Sequence, residues 1–408
     1  MKNKLTKKEI SWILYDWANS SFGIIIVTAV LPIYITNVGS KAGFSNADTA
    51  AFWSYANSFS SFAVALVAPI LGILADFKGV KKYLFNLFTI GGILMTFSLS
   101  LIPDNKFWWI ITFFMLANIG YSSANIFYDS FLTDITEEKR MDKISTLGYG
   151  FGYAGGLIPF ILFYTMLQTG IIKGNIAYLI AFGIAGIWWL VWSLPIMLNV
   201  NAITKKKIPK HAISYSIKSA YKTIMHIAEY PKIAIFLLAY FFFIDGVNTI
   251  FTVASPFGLA VGLKSSQLLI VLLVVQIIAF PFSILYGIMA NKVGTKKTLI
   301  TGLLIYIFIT IYSLLINDIM HFWILAILVG TSQGGVQALS RSYFGQIIPK
   351  ERSAEFFGFF NILGKFSAIV GPFMFGVIAQ MSGRVQYGAF SLIILFILGL
   401  YFLRKVDK

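Results

Sequence analysis

The chain has 408 residues, of which 58% are hydrophobic and 12% charged, and it carries a formal net charge of +16. Soluble domains carry roughly 25% charged residues, so no soluble core accounts for this much apolar sequence, and lipid must solvate much of it. Cysteine is absent, which excludes disulfides, thiol catalysis and thiolate metal sites; His211, His226 and His321 stand apart from any cluster of carboxylates, so no metal site is expected.

Crossing a bilayer takes ~20 mostly apolar residues. Twelve runs meet that length: 11–36, 49–75, 83–102, 107–133, 144–167, 175–199, 232–258, 265–290, 298–316, 321–347, 355–380 and 386–404. The first is too long for a signal-peptide core and lacks a clear cleavage site, so it counts as a span. With the N-terminus placed in the cytoplasm, 25 of the 32 Lys and Arg fall in cytoplasmic segments and 5 on the opposite side. That asymmetry is the positive-inside rule and puts both termini in the cytoplasm. The basic excess therefore reports topology, and a nucleic-acid partner is not expected.

In chain order, run 1 carries Asp16 and Asn19. Between runs 2 and 3 stands GILADFKGVKK (72–82), and between runs 8 and 9 stands GIMANKVGTKK (287–297). Six of the eleven aligned positions are identical: Gly72/Gly287, Ile73/Ile288, Ala75/Ala290, Gly79/Gly294, Lys81/Lys296 and Lys82/Lys297. The copies lie 215 residues apart, as do Phe107-Trp108 and Phe322-Trp323. Arg140 and Arg352 occupy matching turns after runs 4 and 10, and Asp16-x-x-Asn19 is echoed more weakly by Asp245-x-x-Asn248. One half of the chain is thus a copy of the other, which is the architecture of a secondary transporter. The expected organisation is a six-helix bundle over 1–199, a cytoplasmic linker over 200–231 and a second bundle over 232–408.

Run 4 places Asn118, Ser122, Asn125 and Asp129 on one helical face. Run 5 carries Gly148, Gly152, Gly155 and Gly156, a small-residue stripe expected to let it approach run 8 closely. Its GxGxxG at 150–155 follows no strand and lies inside a span, so it is not read as a nucleotide site. The linker opens on Lys205, Lys206 and Lys207. Ile213, Ile217, Ala220, Ile224 and Ile227 then recur at helical spacing, with Lys210, Lys218 and Lys222 pointing elsewhere. This predicts a basic amphipathic helix on the inner leaflet, acting as a tether or as a regulatory docking site. Run 7 aligns Asp245, Asn248, Thr249 and Thr252; run 10 aligns Gln333, Gln337 and Arg341; run 11 aligns Asn361 and Lys365.

Five ionisable residues therefore fall inside spans: Asp16, Asp129, Asp245, Arg341 and Lys365. Near a helix centre each costs roughly 2.5–3.5 kcal/mol, so they must face one another or water. They sit on runs 1, 4, 7, 10 and 11, while runs 3, 6, 9 and 12 carry none of them. Together with the polar stripes, this predicts a water-filled cavity near the bilayer middle. Plainer readings stay open. Asp129 or Arg341 as a fixed ion-pair partner is one, Asp16 near the surface another. Asp245 paired with Lys365 across two helices is a third, and the amides as glue between helices a fourth.

GILADFKGVKK resembles the loop signature of the major facilitator superfamily, with Gly72, Leu74, Asp76, Gly79 and Lys81 in register. Four further strings resemble the unknown-major-facilitator family, related to the vacuolar amino-acid effluxers of autophagy. They are YDWANS (15–20), DGVNT (245–249), GGVQALSRS (334–342), and Gly364-Lys365 followed by Gly371-Pro372. The resemblance covers essentially the whole chain. It implies an all-α integral membrane protein with the major facilitator fold, twelve transmembrane helices in two pseudo-symmetric bundles. It implies secondary active efflux of amino acids by rocker-switch alternating access, in a bacterial cell membrane. A small-molecule substrate and the bilayer are the expected partners, with protons as a candidate coupling ion and no cofactor.

The candidate cavity residues are Asp16, Asn19, Asn125, Asp129, Asp245, Asn248, Gln333, Gln337, Arg341, Asn361 and Lys365. The candidate gating loops are Gly72, Asp76, Gly79, Lys81 and Lys82 with Gly287, Asn291 and Gly294. Two departures stand out. Asn291 replaces the Asp76 carboxylate in the second copy, so only the first half should hold a charged latch. Tyr153 stands where the antiporter signature of the superfamily has proline, so that motif gives no support for proton antiport. A drug or lipid exporter would want a greasier cavity. A membrane receptor or scaffold would want longer tails. An enzyme would need a nucleophile–base pair or a metal cluster, and ATP-driven pumping a Walker loop; the sequence offers none of these.

Overall fold

The structure is a computed structural model that describes residues 4–44, 46–203, 206–225, 229–366 and 369–406. Lys205, His226 and Ile227 lie outside the described residues, as do the side chains of Ile224 and Lys365. Every regular element among the described residues is helical. Among the described residues, eleven helices are long and apolar enough to cross a membrane, and Val370–Ser382 is a shorter apolar one.

Run 1 becomes α1 (Lys7–Ser21), a π-helical stretch (Phe22–Ala29) and α2 (Leu31–Lys41). Thr6 starts α1 with a capping box: its hydroxyl accepts from the Glu9 N–H, and the Glu9 carboxylate accepts from the Thr6 N–H at 2.7 Å. Pro32, in the first turn of α2, has no N–H to lose there, which suits a restart after the widened π segment. The remaining helices of the first half are α3 (Asn46–Ala75), α4 (Val80–Leu99), α5 (Phe107–Ile135), α6 (Glu138–Gln168) and α7 (Gly174–Asn199). The linker holds α8 (Ala212–Met225). Then come α9 (Pro231–Ala260), α10 (Ser265–Val293), α11 (Thr295–Tyr312) and α12 (Ile319–Ile347). Run 11 is split into α13 (Ser353–Phe366) and α14 (Val370–Ser382), and run 12 into α15 (Val385–Ser391) and α16 (Ile393–Lys405).

The chain forms two compact units: residues 1–135, 151–217 and 351–358 in one, 136–150, 218–350 and 359–408 in the other. Within the first unit α1 packs on α7, α3 on α5, and α4 on both α5 and α7. Within the second, α9 packs on α16, α10 on α12, and α11 on both α12 and α16. These are the same pairings shifted by half the chain, so the internal repeat is a repeat of packing as well as of sequence. Each unit also takes in a short segment from the other sequence half, and the two segments begin 215 residues apart, at Thr136 and Glu351. The starts of α6 and α13 thus belong to a different unit from the remainder of their own helices.

The glycine stripe of run 5 meets run 1 rather than run 8. Gly152 lies against Asp16 and Ser20, Gly156 against Ser20 and Ile24, and a Cβ on Gly155 would come 2.3 Å from the Trp17 carbonyl oxygen. Gly150, outside the stripe, is the glycine that approaches Phe280 and Ile284 of α10. Successive turns of one helix thus face different neighbours.

Candidate functional site

The two copies of the loop motif share glycine chemistry. Gly79 and Gly294 both hold positive φ, 81° and 95°, a region open to glycine at no steric cost, and both stand immediately before the next helix, α4 and α11. Gly72 and Gly287 are contact glycines. A Cβ on Gly72 would lie 2.5 Å from the Ala354 carbonyl oxygen at the start of α13, and one on Gly287 would lie 2.1 Å from Thr146 Oγ1 at the start of α6. Each motif thus receives the first turns of the fifth helix of the other sequence half.

In the first unit that reception is ionic. The buried Asp76 carboxylate accepts from the backbone N–H groups of Ala354 and Glu355, both at 3.1 Å. These belong to the first turn of α13, whose unpaired N–H groups and dipole favour an anion. Burial pushes the Asp76 carboxyl up to about 7, against the opposing pull of Lys81 and the two N–H groups. Lys81 is itself fully buried; its ammonium donates to Asp134 Oδ2 at 2.9 Å and to Ser353 Oγ at 3.0 Å. Lys82 turns away and donates to Asn201 of the linker. Arg352 pairs through two hydrogen bonds with Glu355.

The second unit solves the same problem differently. Asn291 is exposed, so the second motif contributes no buried side chain at the position of Asp76. The carboxylate comes from α6 instead. Asp142 accepts from Ser342 Oγ at 2.6 Å, Gln346 Nε2 at 2.9 Å and Thr295 Oγ1 at 2.5 Å. Beside it the buried Arg341 donates through Nε to Ser145 Oγ and through Nη2 to the Ser145 carbonyl, and its guanidinium lies 4.3 Å from the Tyr149 ring centroid. Arg341 is therefore engaged with the start of α6. Asp142, Ser145, Tyr149 and Ser342 are absent from the sequence-based candidates. Their partners lie some 200 residues away, and Asp142 lies outside the apolar runs, in the charged stretch that opens α6; the matched positions of Arg140 and Arg352 are the available signal.

The candidate cavity residues divide by unit. In the first, Asn19 on α1 donates to Asn125 Oδ1 on α5 at 2.8 Å, joining the two polar stripes. Asp129 is buried on the same α5 face, and Asp16 is half-buried on α1. In the second, Asp245 is fully buried on α9 and accepts from the Gly371 N–H at 2.9 Å, in the first turn of α14. Thr249 Oγ1 lies 3.4 Å from its other oxygen. Asn248 donates to the Gly364 carbonyl at 3.3 Å, near the end of α13. Two neighbouring polar side chains of α9 thus hold both sides of the α13/α14 break. Asn361 and Gln337 are half-buried, and Gln333 is buried with its Oε1 unmatched by any hydrogen bond. Lys365 follows Gly364 on α13; its side chain lies outside the described residues.

Comparison with known proteins identifies the family and the fold. A family model described as "Vacuole effluxer Atg22 like" matches residues 5–408. An uncharacterized MFS-type transporter YxiO of Bacillus subtilis is 42% identical, across 100% of this chain and 96% of that protein. Autophagy-related protein 22 of Saccharomyces cerevisiae (strain ATCC 204508 / S288c) is 24% identical, across 97% of this chain and 90% of that protein. Among solved structures, the E. coli fucose:proton symporter FucP superposes with a TM-score of 0.77 at 13% identity, covering 98% of each chain. The human organic anion transporter MFSD10 gives 0.74 at 12% identity, covering 97% of this chain and 98% of that one; likeness at such identity speaks to the fold alone. The chain is a multi-pass membrane transporter rather than an enzyme, and it belongs to the vacuole effluxer Atg22-like family within the major facilitator superfamily.

Proposed function

We propose that the chain exports small zwitterionic solutes, amino acids, by alternating access across the bacterial cell membrane, with both termini in the cytoplasm. The observation that carries this reading is the α13/α14 break held by Asp245 and Asn248. A buried carboxylate inside an apolar span is expensive, and discontinuous helices with exposed termini are where transporters of this general architecture coordinate charged groups. The substrate ammonium would approach Asp245 and the open Gln333 Oε1. Its carboxylate would approach Lys365. A proton on Asp245 would release the α14 terminus, and so offers a route for coupling to the proton gradient.

Asp76 and Lys81 on α13, with Asp142 and Arg341 on the α6 start, serve in this reading as the cytoplasmic latch that opens and closes in each cycle. Arg341, with its donors already directed at Ser145, is assigned to the latch rather than to the substrate. The Bacillus subtilis relative supports the bacterial membrane, and the vacuole-effluxer description of the family supports the efflux direction.

A second reading, export of an apolar drug or lipid, draws on one feature. Within the second unit a pocket of about 70 Å³ is walled by Phe251, Phe257, Val271, Leu272, Phe322 and Leu325 among other apolar side chains. It offers no charged group, whereas the Asp245 break does. Purified protein in liposomes, loaded with unlabelled amino acids and offered labelled ones, separates the two. Saturable exchange that Lys365→Ala abolishes supports the zwitterion reading, and exchange unchanged in Lys365→Ala removes Lys365 from the site.

A further inference from the structure

The segment between α7 and α9 contains six lysines and no acidic residue over 201–225. Its ends join two membrane-spanning helices, so it must start and finish at one face of the bilayer. Within α8, Ser216, Ala220 and Thr223 are buried at steps of four and three and form the side packed on the protein. Ile213, Ile217 and Tyr221, at steps of four, form an adjacent stripe exposed by 65%, 50% and 63%. Lys218 and Lys222 lie on the stripe beyond, with Lys207 and Lys210 just before the helix, all exposed. A helix with one side on protein, an apolar stripe outward and a basic stripe beside it fits the headgroup–acyl boundary.

The same segment is strapped to the first loop motif. The Lys78 N–H donates to the Lys206 carbonyl at 2.9 Å, and the Lys82 ammonium donates to Asn201 Oδ1 at 2.8 Å. The Lys206 ammonium lies 5.2 Å from both the Phe77 and Tyr215 ring centroids, and those two rings are 5.9 Å apart. Phe77 directly follows Asp76, which caps α13. A continuous chain of contacts therefore runs from α8 through Tyr215, Lys206 and Phe77 to Asp76.

We propose that α8, with Lys206, Lys207 and Lys210 before it, binds anionic phospholipid headgroups at the inner leaflet, and that the Tyr215–Lys206–Phe77 stack transmits that contact to the Asp76 loop. Anionic lipid is the chosen occupant because the exposed apolar stripe lies beside the lysines, at the level where two spanning helices end. An acidic soluble protein would complement the lysines but leave Ile213 and Ile217 against water. Juxtamembrane lysines gain about 1 kcal/mol each near an anionic leaflet, which makes the segment sensitive to lipid charge. Its consequence for transport rests on the function proposed above; the lipid contact itself does not.

The chain has no cysteine, so single labels go on directly. A solvent-sensitive fluorophore on Ile217→Cys should be quenched by acyl-chain doxyl lipids in nanodiscs. Its emission should shift further to the blue in phosphatidylcholine mixed with phosphatidylglycerol than in phosphatidylcholine alone. That additional shift should vanish when Lys207, Lys210, Lys218 and Lys222 are all replaced by Gln. A second label, on Lys78→Cys, should respond to phosphatidylglycerol in the parent and lose the response in Lys206→Gln, while the Ile217→Cys label keeps its own. An Ile217→Cys label left unquenched, or quenched with no dependence on lipid charge, overturns the lipid site. A Lys78→Cys response that survives Lys206→Gln overturns the relay. These readouts need no substrate, so loss of the amino-acid reading would leave them standing, and their loss would leave that reading untouched.

Discussion

Asp76 and Lys81 show how few atoms hold the start of α13. The Asp76 carboxyl titrates near 7 in this arrangement, above its ordinary value of 3.8, because burial penalises its charge. Folded protein therefore holds a proton more tightly than unfolded chain. The stabilising contribution of the bound proton is complete below the ordinary value and is lost as pH rises through about 7. Thermal melting in micelles from about pH 5 to about pH 8 should show that loss in the parent, roughly a few kcal/mol at most, and a flatter profile in Asp76→Asn. An identical pH profile in both proteins would remove Asp76 as its source. Lys81→Met leaves Asp134 buried without its cation and should cost about 3–5 kcal/mol, much of it recovered in Lys81→Met/Asp134→Leu. Melting temperatures check both. These residues are legible in sequence because the motif recurs at the half-chain offset. Asp142 and Ser145 are not, since nothing in local spacing announces partners brought in by folding.

Helix breaks are harder to read than helices. Residues 355–380 scan as one apolar run, yet α13 ends at Phe366 and α14 begins at Val370. Pro372 sits in the first turn of α14, where its missing N–H costs nothing, and Gly371 supplies its N–H to Asp245. The Gly371-Pro372 pair was visible; hydropathy alone does not count a break whose polar groups are satisfied by another helix. A Cβ on Gly371 would come 2.0 Å from Thr249 Oγ1 and 2.8 Å from Asp245 Oδ1. Gly371→Ala should therefore destabilise the protein, and Thr249→Ala should recover part of the loss. Asp245→Leu, which leaves the α14 N–H unsatisfied, should cost about 1–3 kcal/mol, whereas Asp245→Asn should keep the fold. Unfolding curves of the four variants in one detergent decide this.

At the scale of the molecule, twelve runs, a half-chain repeat and a lysine asymmetry carry most of the fold. The structure adds that the repeat extends to which helices pack together inside each unit, and that the α6 and α13 starts are exchanged between sequence halves. The proposed orientation, with both termini in the cytoplasm, rests on the lysine asymmetry and is directly checkable in a cysteine-free chain. Lys106→Cys and Lys264→Cys should react with an impermeant maleimide on intact cells, and Lys78→Cys only after lysis; the reverse pattern would invert the topology. The proposed function turns on whether the Asp245 break forms part of a site for small zwitterions. The most direct measurement is exchange of labelled amino acids in liposomes holding the parent, Asp245→Asn or Asp245→Leu. A zwitterion site at Asp245 requires saturable exchange by the parent, little or none by either well-folded variant, and an altered pH dependence in any activity Asp245→Asn retains. Undiminished exchange by folded Asp245→Leu, with an unchanged pH profile, would contradict it.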